Sequence, residues 1–184
     1  MGPYPSEGRM MPRHSSRRAI VLPTGRGPLQ RQAGMKTVRA SPCDAAELTA
    51  IARAAKSQWG YPESWLRRWE EALTITSEYI RAHATYVAVS DGRAVGFCSV
   101  ITRGNEAFLD HLWVMPAETG KGMGRALFER AEGAARAAGA ACLRVESDPH
   151  AEGFYVRMGA TRYGRVPSAM DENERFLPLL EKSL

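Results

Sequence analysis

The stretch PAETGKGMGR, residues 116–125, follows the apolar run FLDHLWV, residues 108–114, and has glycines at three alternate positions, Gly120, Gly122 and Gly124. Alternate glycines weaken both helix and strand, so a tight turn is predicted here. The next segment, GRALFERAEGAARAAG, has apolar residues at helical spacing and ends on Gly139. A strand, a glycine turn and a helix N-terminus gather unpaired backbone N–H groups at one point, where the helix dipole favours an anion. The stretch therefore predicts a pyrophosphate-binding turn.

Spacing excludes two of the nucleotide motifs that use such a turn. The P-loop pattern GxxxxGK[ST] is not present, because Lys121 is followed by Gly122 and position 115 is a methionine. The dinucleotide pattern GxGxxG/A fails in both registers, because Arg125 and Leu127 stand where the last Gly or Ala is needed.

The segments before the glycine turn predict two or three helices and then a meander of strands. A strand is predicted over 36–41, and a helix over 42–57 begins with Ser41 and Asp44 as a capping box. A second helix starts at Pro62 and places Trp65, Trp69 and Leu73 on one face, and a short helical turn follows over 77–83. Hairpin turns at Asp91-Gly92 and Gly104-Asn105 then separate three antiparallel strands.

After the helix that follows the glycine turn, a strand is predicted over 141–147, a short helix over 150–159, and strands over 160–166 and 173–180. This order is not a regular βαβ alternation. It predicts an α+β domain built on a central mixed sheet.

Charge is distributed unevenly along the chain. The formal net charge is +5, but residues 1–36 contain seven Lys or Arg and one acid, Glu7, so the remainder is close to neutral. A groove for nucleic acid is therefore not indicated. Residues 1–34, rich in Gly, Pro, Ser and Arg, are predicted to be a disordered basic leader, and residues 35–184 the folded domain. A start at Met35 is preferred over an organellar transit peptide.

Two further observations limit the class of protein. The apolar run Ala19–Leu22 is too short for a secretory core or a membrane span, which predicts a cytoplasmic protein. The three cysteines, Cys43, Cys98 and Cys142, are odd in number and have no CxxC spacing, so neither a disulfide framework nor a metal site is expected.

Two motifs resemble the GCN5-related N-acetyltransferase (GNAT) superfamily. Its acyl-CoA signature [QR]-x-x-G-x-[GA], after a strand ending L-x-V-x-P, is similar to Leu112–Pro116 followed by Thr119–Gly124, with Thr119 in place of Gln or Arg. AEGFYVRMGATRYG, residues 151–164, is similar to the family segment A-x-x-F-Y-x-x-x-G. The resemblance covers residues 36–180. It implies a three-layer α/β/α fold with a mostly antiparallel sheet of six or seven strands.

The resemblance also implies a reaction and its groups. Acetyl-CoA would be the cosubstrate, and a primary amine of a small molecule or peptide would attack the thioester directly through a tetrahedral intermediate. Tyr155 would be the general acid for the CoA thiolate, since a phenol has a pKa of about 10 and a thiol one of about 8.5. The backbone of β-strand residues and of the glycine turn would bind the coenzyme: Leu112, Trp113, Val114, Thr119, Gly120, Lys121, Gly122, Met123, Gly124 and Arg125.

The general base has three candidates. Strict strand alternation puts Phe108, Asp110, Leu112 and Val114 on one face and His111 and Trp113 on the other. Asp110 is the first candidate, as the base itself or as a group that orients the acceptor. His111 has the better pKa for a base, or is a histidine of the core. Glu106, at the open end of the strand, is the third and would lie on the acceptor side.

Other residues are predicted to complete the site. Asp148 or His150, at the start of the helix that carries Tyr155, would contact the coenzyme, with N-capping as the alternative for Asp148. Trp59 and Tyr61, in a loop with Gly and Pro, would wall the amine pocket or pack in the core. A homodimer is one expected assembly. The alternative functions are a non-catalytic acyl-CoA sensor or partner subunit, which Thr119 favours, and a nucleic-acid-binding protein that uses the leader.

Overall fold

The sheet of this protein has seven strands in the order β1-β2-β3-β4-β5-β7-β6. The computed structural model describes residues 34–168 and 175–184, so the predicted leader lies outside it up to residue 33. The strands are β1 Lys36–Arg39, β2 Ala84–Ser90, β3 Arg93–Arg103, β4 Glu106–Val114, β5 Cys142–Glu146, β6 Thr161–Pro167 and β7 Phe176–Ser183. The helices are α1 Ala45–Ser57, α2 Glu63–Arg68, α3 Ser77–Ala82, α4 Met123–Ala137 and α5 Glu152–Arg157.

Helices cover both faces of the sheet, and each face has its own core. On one face, α4 and α5 pack through Leu127, Phe128 and Tyr155 onto the central strands. On the other, α1 and the segment that follows it pack through Leu48 and Trp69. The predicted three-layer α+β fold with a mixed, mostly antiparallel sheet is thus confirmed.

Local signals placed most element ends correctly. The Ser41 N–H donates to Asp44 Oδ2 at 2.7 Å, as the capping box requires, although residues 42–44 form a 3₁₀ turn and α1 begins only at Ala45. Asp91 and Gly92 both have positive φ, the conformation of a two-residue hairpin turn. The predicted second helix is shorter than its pattern, because α2 ends at Arg68 and a series of turns buries Trp69 instead.

Strands β4 and β5, which are parallel, separate soon after they pair. Their register runs from Ala107 opposite Leu143 to Leu109 opposite Val145 and stops there. Strand β4 continues to Val114, paired on its other side with β3. Beyond Leu109, the edge of β4 that faces β5 therefore has backbone N–H and C=O groups with no strand partner in the described sheet. A gap opens at this point.

A bulge in β4 changes which side chains face the gap. Val100 pairs with Leu109 and Ser99 with His111, so Asp110 is an extra residue in the strand. Leu109 and Leu112 consequently both pack on the α4 side of the sheet, which strict alternation forbids. The predicted grouping of Phe108 with Asp110, Leu112 and Val114 is therefore wrong, because the extra residue shifts the alternation by one position.

Candidate active site

A cavity of about 800 Å³ lies at the gap between β4 and β5 and extends to the N-terminus of α4. Its walls come from the end of α1, from β4, from the glycine turn and from α5. Thirteen of the predicted site residues line it: Trp59, Asp110, Leu112, Trp113, Val114, Thr119, Gly120, Gly122, Gly124, Arg125, Asp148, His150 and Tyr155.

The glycine turn presents four backbone donors at one end of the cavity. The first intrahelical bond of α4 runs from the Ala126 N–H to the Gly122 carbonyl, at 3.1 Å. The N–H groups of residues 122–125 precede it, and α4 has no side-chain cap, so these groups have no partner among the described residues. Together with the positive end of the dipole of this long helix, they fit a pyrophosphate.

The three glycines serve two different purposes. Gly120 and Gly122 have φ of +82° and +89°, which side chains disfavour, and a Cβ at either would meet no atom within 4 Å. Gly124 instead allows close packing, because a Cβ there would lie 3.2 Å from the ring of Phe154. Backbone conformation therefore requires the first two glycines, and the contact between α4 and α5 requires the third.

Two predicted coenzyme residues turn their side chains away from the cavity. Lys121 is exposed and pairs with Glu118, with 3.2 Å between Nζ and Oε1. Met123 is buried in the core between α4 and the sheet. Neither lines the cavity, so any contribution they make to an anion site comes from the backbone.

The hydroxyl group of Tyr155 faces the cavity. The residue is only 7% exposed, and its ring packs against Phe128 and Phe154. The hydroxyl makes no hydrogen bond to a described residue, yet no buried side-chain nitrogen or oxygen in this part of the chain lacks a partner. The hydroxyl must therefore reach the space that Tyr155 lines. Burial raises the pKa of Tyr155 above its ordinary value, which keeps the phenol protonated and able to donate.

Two side chains, those of Tyr79 and His111, contact the same carboxylate oxygen of Asp110. Its Oδ2 accepts a short hydrogen bond from the Tyr79 hydroxyl and lies 3.5 Å from His111 Nε2. The fully buried Ser99 hydroxyl lies 2.6 Å from the Tyr79 oxygen and must be the donor in that bond, because Tyr79 gives its own proton to Asp110. Within residues 34–168 and 175–184, Oδ1 has no hydrogen-bond partner, and Asp110 lines the cavity.

His111 is unsuited to act as the base. Trp113 Nε1–H donates to His111 Nδ1 at 3.0 Å, so neutral His111 has its proton on Nε2, which faces Asp110. Neither ring nitrogen is then free to take a proton. Burial lowers the pKa of His111, and the side chain does not line the cavity. His111 thus lies between Asp110 and Trp113 and outside the cavity lining, so the geometry does not support its prediction as a base.

A buried charge cluster lies behind the cavity wall. Asp148 Oδ2 is 2.6 Å from Lys56 Nζ and 2.9 Å from Arg175 Nη2, and all three side chains are about nine-tenths buried. The Tyr61 hydroxyl donates to the same carboxylate at 2.8 Å and accepts from Arg175. The carboxylate also caps the following turn, accepting from the His150 N–H at 3.1 Å. The N-capping alternative for Asp148 is thus present, and its carboxylate is fully engaged.

Aromatic rings surround the Lys56 ammonium group. Its Nζ lies 4.0 Å from the ring centre of Trp69, 4.8 Å from that of Tyr61, and about 6 Å from those of Trp59 and Trp113. Burial lowers the pKa of Lys56 despite the adjacent carboxylate. Burial acts to raise the pKa of Asp148, but the hydrogen bonds and charge of Lys56 outweigh it and lower that pKa. We regard the cluster as an ion pair because the carboxylate has two cationic partners.

The predicted acceptor residues divide into two groups. Trp59 lines the cavity and makes an edge contact with His150, with 5.0 Å between ring centres. Tyr61 does not line it but supports it through Asp148. Glu106 lies at the opposite end of β4, pairs with Arg144 and does not line the cavity, so the structure does not bring it together with the other predicted acceptor residues.

Sequence patterns missed five residues of this region. Lys56 and Arg175 are 92 and 27 residues from their partner Asp148, and Tyr79 is 31 residues from Asp110. No local spacing indicates such contacts. Arg157 and Glu146 also line the cavity. Glu146 ends the strand that is parallel to β4, so the strand prediction was the signal that could have identified it.

In residues 34–168 and 175–184, no group of three His, Cys, Asp or Glu side chains is arranged to hold a metal ion. No helix of that part is long and apolar enough to cross a membrane.

Comparisons with known proteins agree with this geometry. The sequence model described as "Acetyltransferase (GNAT) family" matches residues 48–160, more than half of the chain. The matched region runs from α1 to the end of α5, and so includes the glycine turn and Tyr155. No curated protein matches the sequence.

Three solved structures illustrate the similarity of fold. A GCN5-related N-acetyltransferase from Rhodopseudomonas palustris is 26% identical, with a TM-score of 0.68 over 86% of this chain and 100% of the other. PaiA N-acetyltransferase from Thermoplasma acidophilum, in complex with coenzyme A, is 20% identical, with a TM-score of 0.65 over 82% and 99%. YncA, a putative acetyltransferase from Salmonella typhimurium with acetyl-CoA, is 20% identical, with a TM-score of 0.60 over 82% and 94%.

Proposed function

This chain belongs to the GNAT family of acetyltransferases, and on that premise we propose that it transfers the acetyl group of acetyl-CoA to a primary amine of a small molecule or peptide. The observation that carries the proposal is one continuous cavity that joins the four free N–H groups of α4 to the hydroxyl of Tyr155. Similar folds from Thermoplasma acidophilum and Salmonella typhimurium hold CoA and acetyl-CoA.

The turn and its neighbours would hold acetyl-CoA. The backbone of residues 120–125 would bind the pyrophosphate, and Arg125 and Arg157 add positive charge to the same cavity. The unpaired edge of β4, from Asp110 to Val114, would receive the pantetheine arm and the thioester carbonyl. Thr119 lines the cavity with a short side chain, so backbone donors supply most of this binding.

Direct attack of the amine on the thioester fits the residues that line the cavity. None of the three cysteines lines it. Cys98 lies in the core and is fully buried, and burial raises the pKa of its thiol to about 12. A covalent acetyl-enzyme formed on a cysteine is therefore disfavoured. In the proposed reaction the amine bonds to the thioester carbon, the C–S bond breaks, and Tyr155 gives its proton to the departing thiolate.

Asp110 is the group we assign to the amine. Its Oδ2 is occupied by Tyr79, and its Oδ1 has no partner among the described residues, which leaves one oxygen to orient the acceptor and to take up its proton directly or through water.

Release of the CoA thiol, measured over a panel of amino acids, polyamines, aminoglycosides and peptide N-termini, tests the proposal. We expect turnover with at least one class of amine. Tight binding of CoA by calorimetry without turnover on any amine would instead support the sensor function, which the substitution at Thr119 favours. The cytoplasmic location and the homodimer stay predictions.

A further inference from the structure

Glu146 stands opposite Asp110 where β4 and β5 separate. The last paired residues of the two strands are Leu109 and Val145, and both side chains enter the core on the α4 side. The following residues, Asp110 and Glu146, therefore point to the opposite face, where Tyr79 of α3 contacts Asp110. Both carboxylates line the cavity.

Four carboxylates line the cavity: Asp110, Glu146, Asp148 and Glu118. Two of them, Asp148 and Glu118, are paired with cationic side chains. Asp148 is paired with Lys56 and Arg175, and Glu118 is paired with Lys121. Glu146 is exposed and makes no hydrogen bond or ion pair within the part of the chain that the structure describes. One oxygen of Asp110 and the whole of Glu146 thus give this end of the cavity negative charge that the described residues do not balance.

Two further features of the same space point to a ligand. The Tyr155 hydroxyl, on a residue more than nine-tenths buried, faces the cavity and has no hydrogen-bond partner among the described residues. The rings of Trp59 and Trp113 also line it. Aromatic faces attract cations, so tryptophan rings next to carboxylate oxygens that have no partner among the described residues suit an ammonium group better than a neutral or anionic one.

We propose that the acceptor amine carries a second cationic group and that Glu146 binds this group while Asp110 holds the amine that reacts. The inference rests on the proposed acetyl transfer. Two sources share this chemistry, a small diamine and a peptide amine beside a basic side chain. The monoamine counterpart of each would lose the contact with Glu146 and keep the one with Asp110.

Matched acceptors test the inference through release of the CoA thiol. One arm compares a five-carbon diaminoalkane with the amino alcohol of the same length, and the other compares the dipeptides Ala-Lys and Ala-Gln. In at least one arm we expect kcat/KM to be about 10-fold higher for the acceptor with two charges, the effect of one charge-assisted hydrogen bond. Glu146→Gln should reduce this ratio towards one and leave the KM for acetyl-CoA unchanged.

Glu129→Gln is the matched control, because Glu129 is exposed on α4 and lies outside the cavity. It should leave the ratio as it is in the unchanged protein. Equal kcat/KM within both pairs, or a ratio that Glu146→Gln does not alter, would overturn the inference while acetyl transfer stands. No thiol release with any acceptor would overturn the acetyltransferase proposal and this inference together.

Discussion

The ammonium group of Lys56 lies 2.6 Å from the carboxylate of Asp148, and the two side chains are 9% and 11% exposed. This contact joins the end of α1 to the turn that leads into the helix of Tyr155. It therefore fixes two walls of the cavity relative to each other. Both charges are removed from water, so the contact is sensitive to the loss of either partner.

Lys56→Met should destabilise the protein by about 3 kcal/mol, the lower end for breaking a buried ion pair, because Asp148 keeps Arg175 and Tyr61 as partners. Unfolding in urea measures the change. Arg53→Met, on the same helix, removes an ion pair whose side chains are 46% and 60% exposed, and it should cost less than about 1 kcal/mol. Equal losses for the two variants would contradict the role of the buried contact.

We expect the free energy of unfolding to decrease in acid because Asp148 becomes protonated. Burial alone would raise the pKa of Asp148, but its hydrogen bond and ion pair with Lys56 lower it in the folded protein below the ordinary value of 3.8. Its contribution is then fully present above that ordinary value and is lost as the pH falls through the lower folded value. The unfolding free energies of the wild type and of Asp148→Asn should differ at pH 7 and converge below about pH 4. A difference that stays constant down to pH 2 would exclude this linkage.

Tyr155→Phe removes the hydroxyl group, and with it the only ionisable proton of the side chain, and keeps the ring packed on Phe128 and Phe154. We expect kcat to fall by about 10²-fold, the low end for a general acid, with CoA affinity and stability little changed. Tyr163→Phe is the control, because Tyr163 is 55% exposed and outside the cavity. If both variants kept the wild-type rate, Tyr155 would have no part in proton transfer.

Two glycines of α4, Gly124 and Gly133, allow the effect of packing to be distinguished from that of helix propensity. At Gly124 an added Cβ meets Phe154 at 3.2 Å, whereas at Gly133 it meets no atom within 4 Å. Gly133→Ala should stabilise the protein by about 0.5–1 kcal/mol. Gly124→Ala should be about 1–2 kcal/mol less stable than Gly133→Ala and should weaken CoA binding, because the Phe154 ring must move against the cavity. Thermal unfolding measures the stability of the two variants, and calorimetry measures their affinity for CoA. Equal stability and equal affinity would show that the contact with Phe154 has no effect.

Local patterns predicted the fold and the glycine turn at one end of the cavity. The glycine turn, the hairpin at Asp91-Gly92 and the segment around Tyr155 each depend on neighbours a few residues away, which a sequence displays directly. The part of the cavity around Asp110 and Asp148 depends on contacts between distant segments. Strict alternation along β4 could not show the extra residue at Asp110, because the bulge is defined by the pairing with β3. For the same reason, neither Lys56 nor Arg175 stood out before the fold brought them to Asp148.

The bulge in β4 also makes the chemistry of the cavity wall depend on strand length. Asp110 faces the cavity and His111 faces Trp113 because one residue of β4 has no counterpart in β3. Deleting one residue of β4 before Asp110 would restore one-to-one pairing with β3. The side chains from Asp110 onwards would then point to the opposite face of the sheet. Insertions and deletions in this strand, more than substitutions, would then be the changes that place a different side chain at this position of the cavity wall in a relative with this fold.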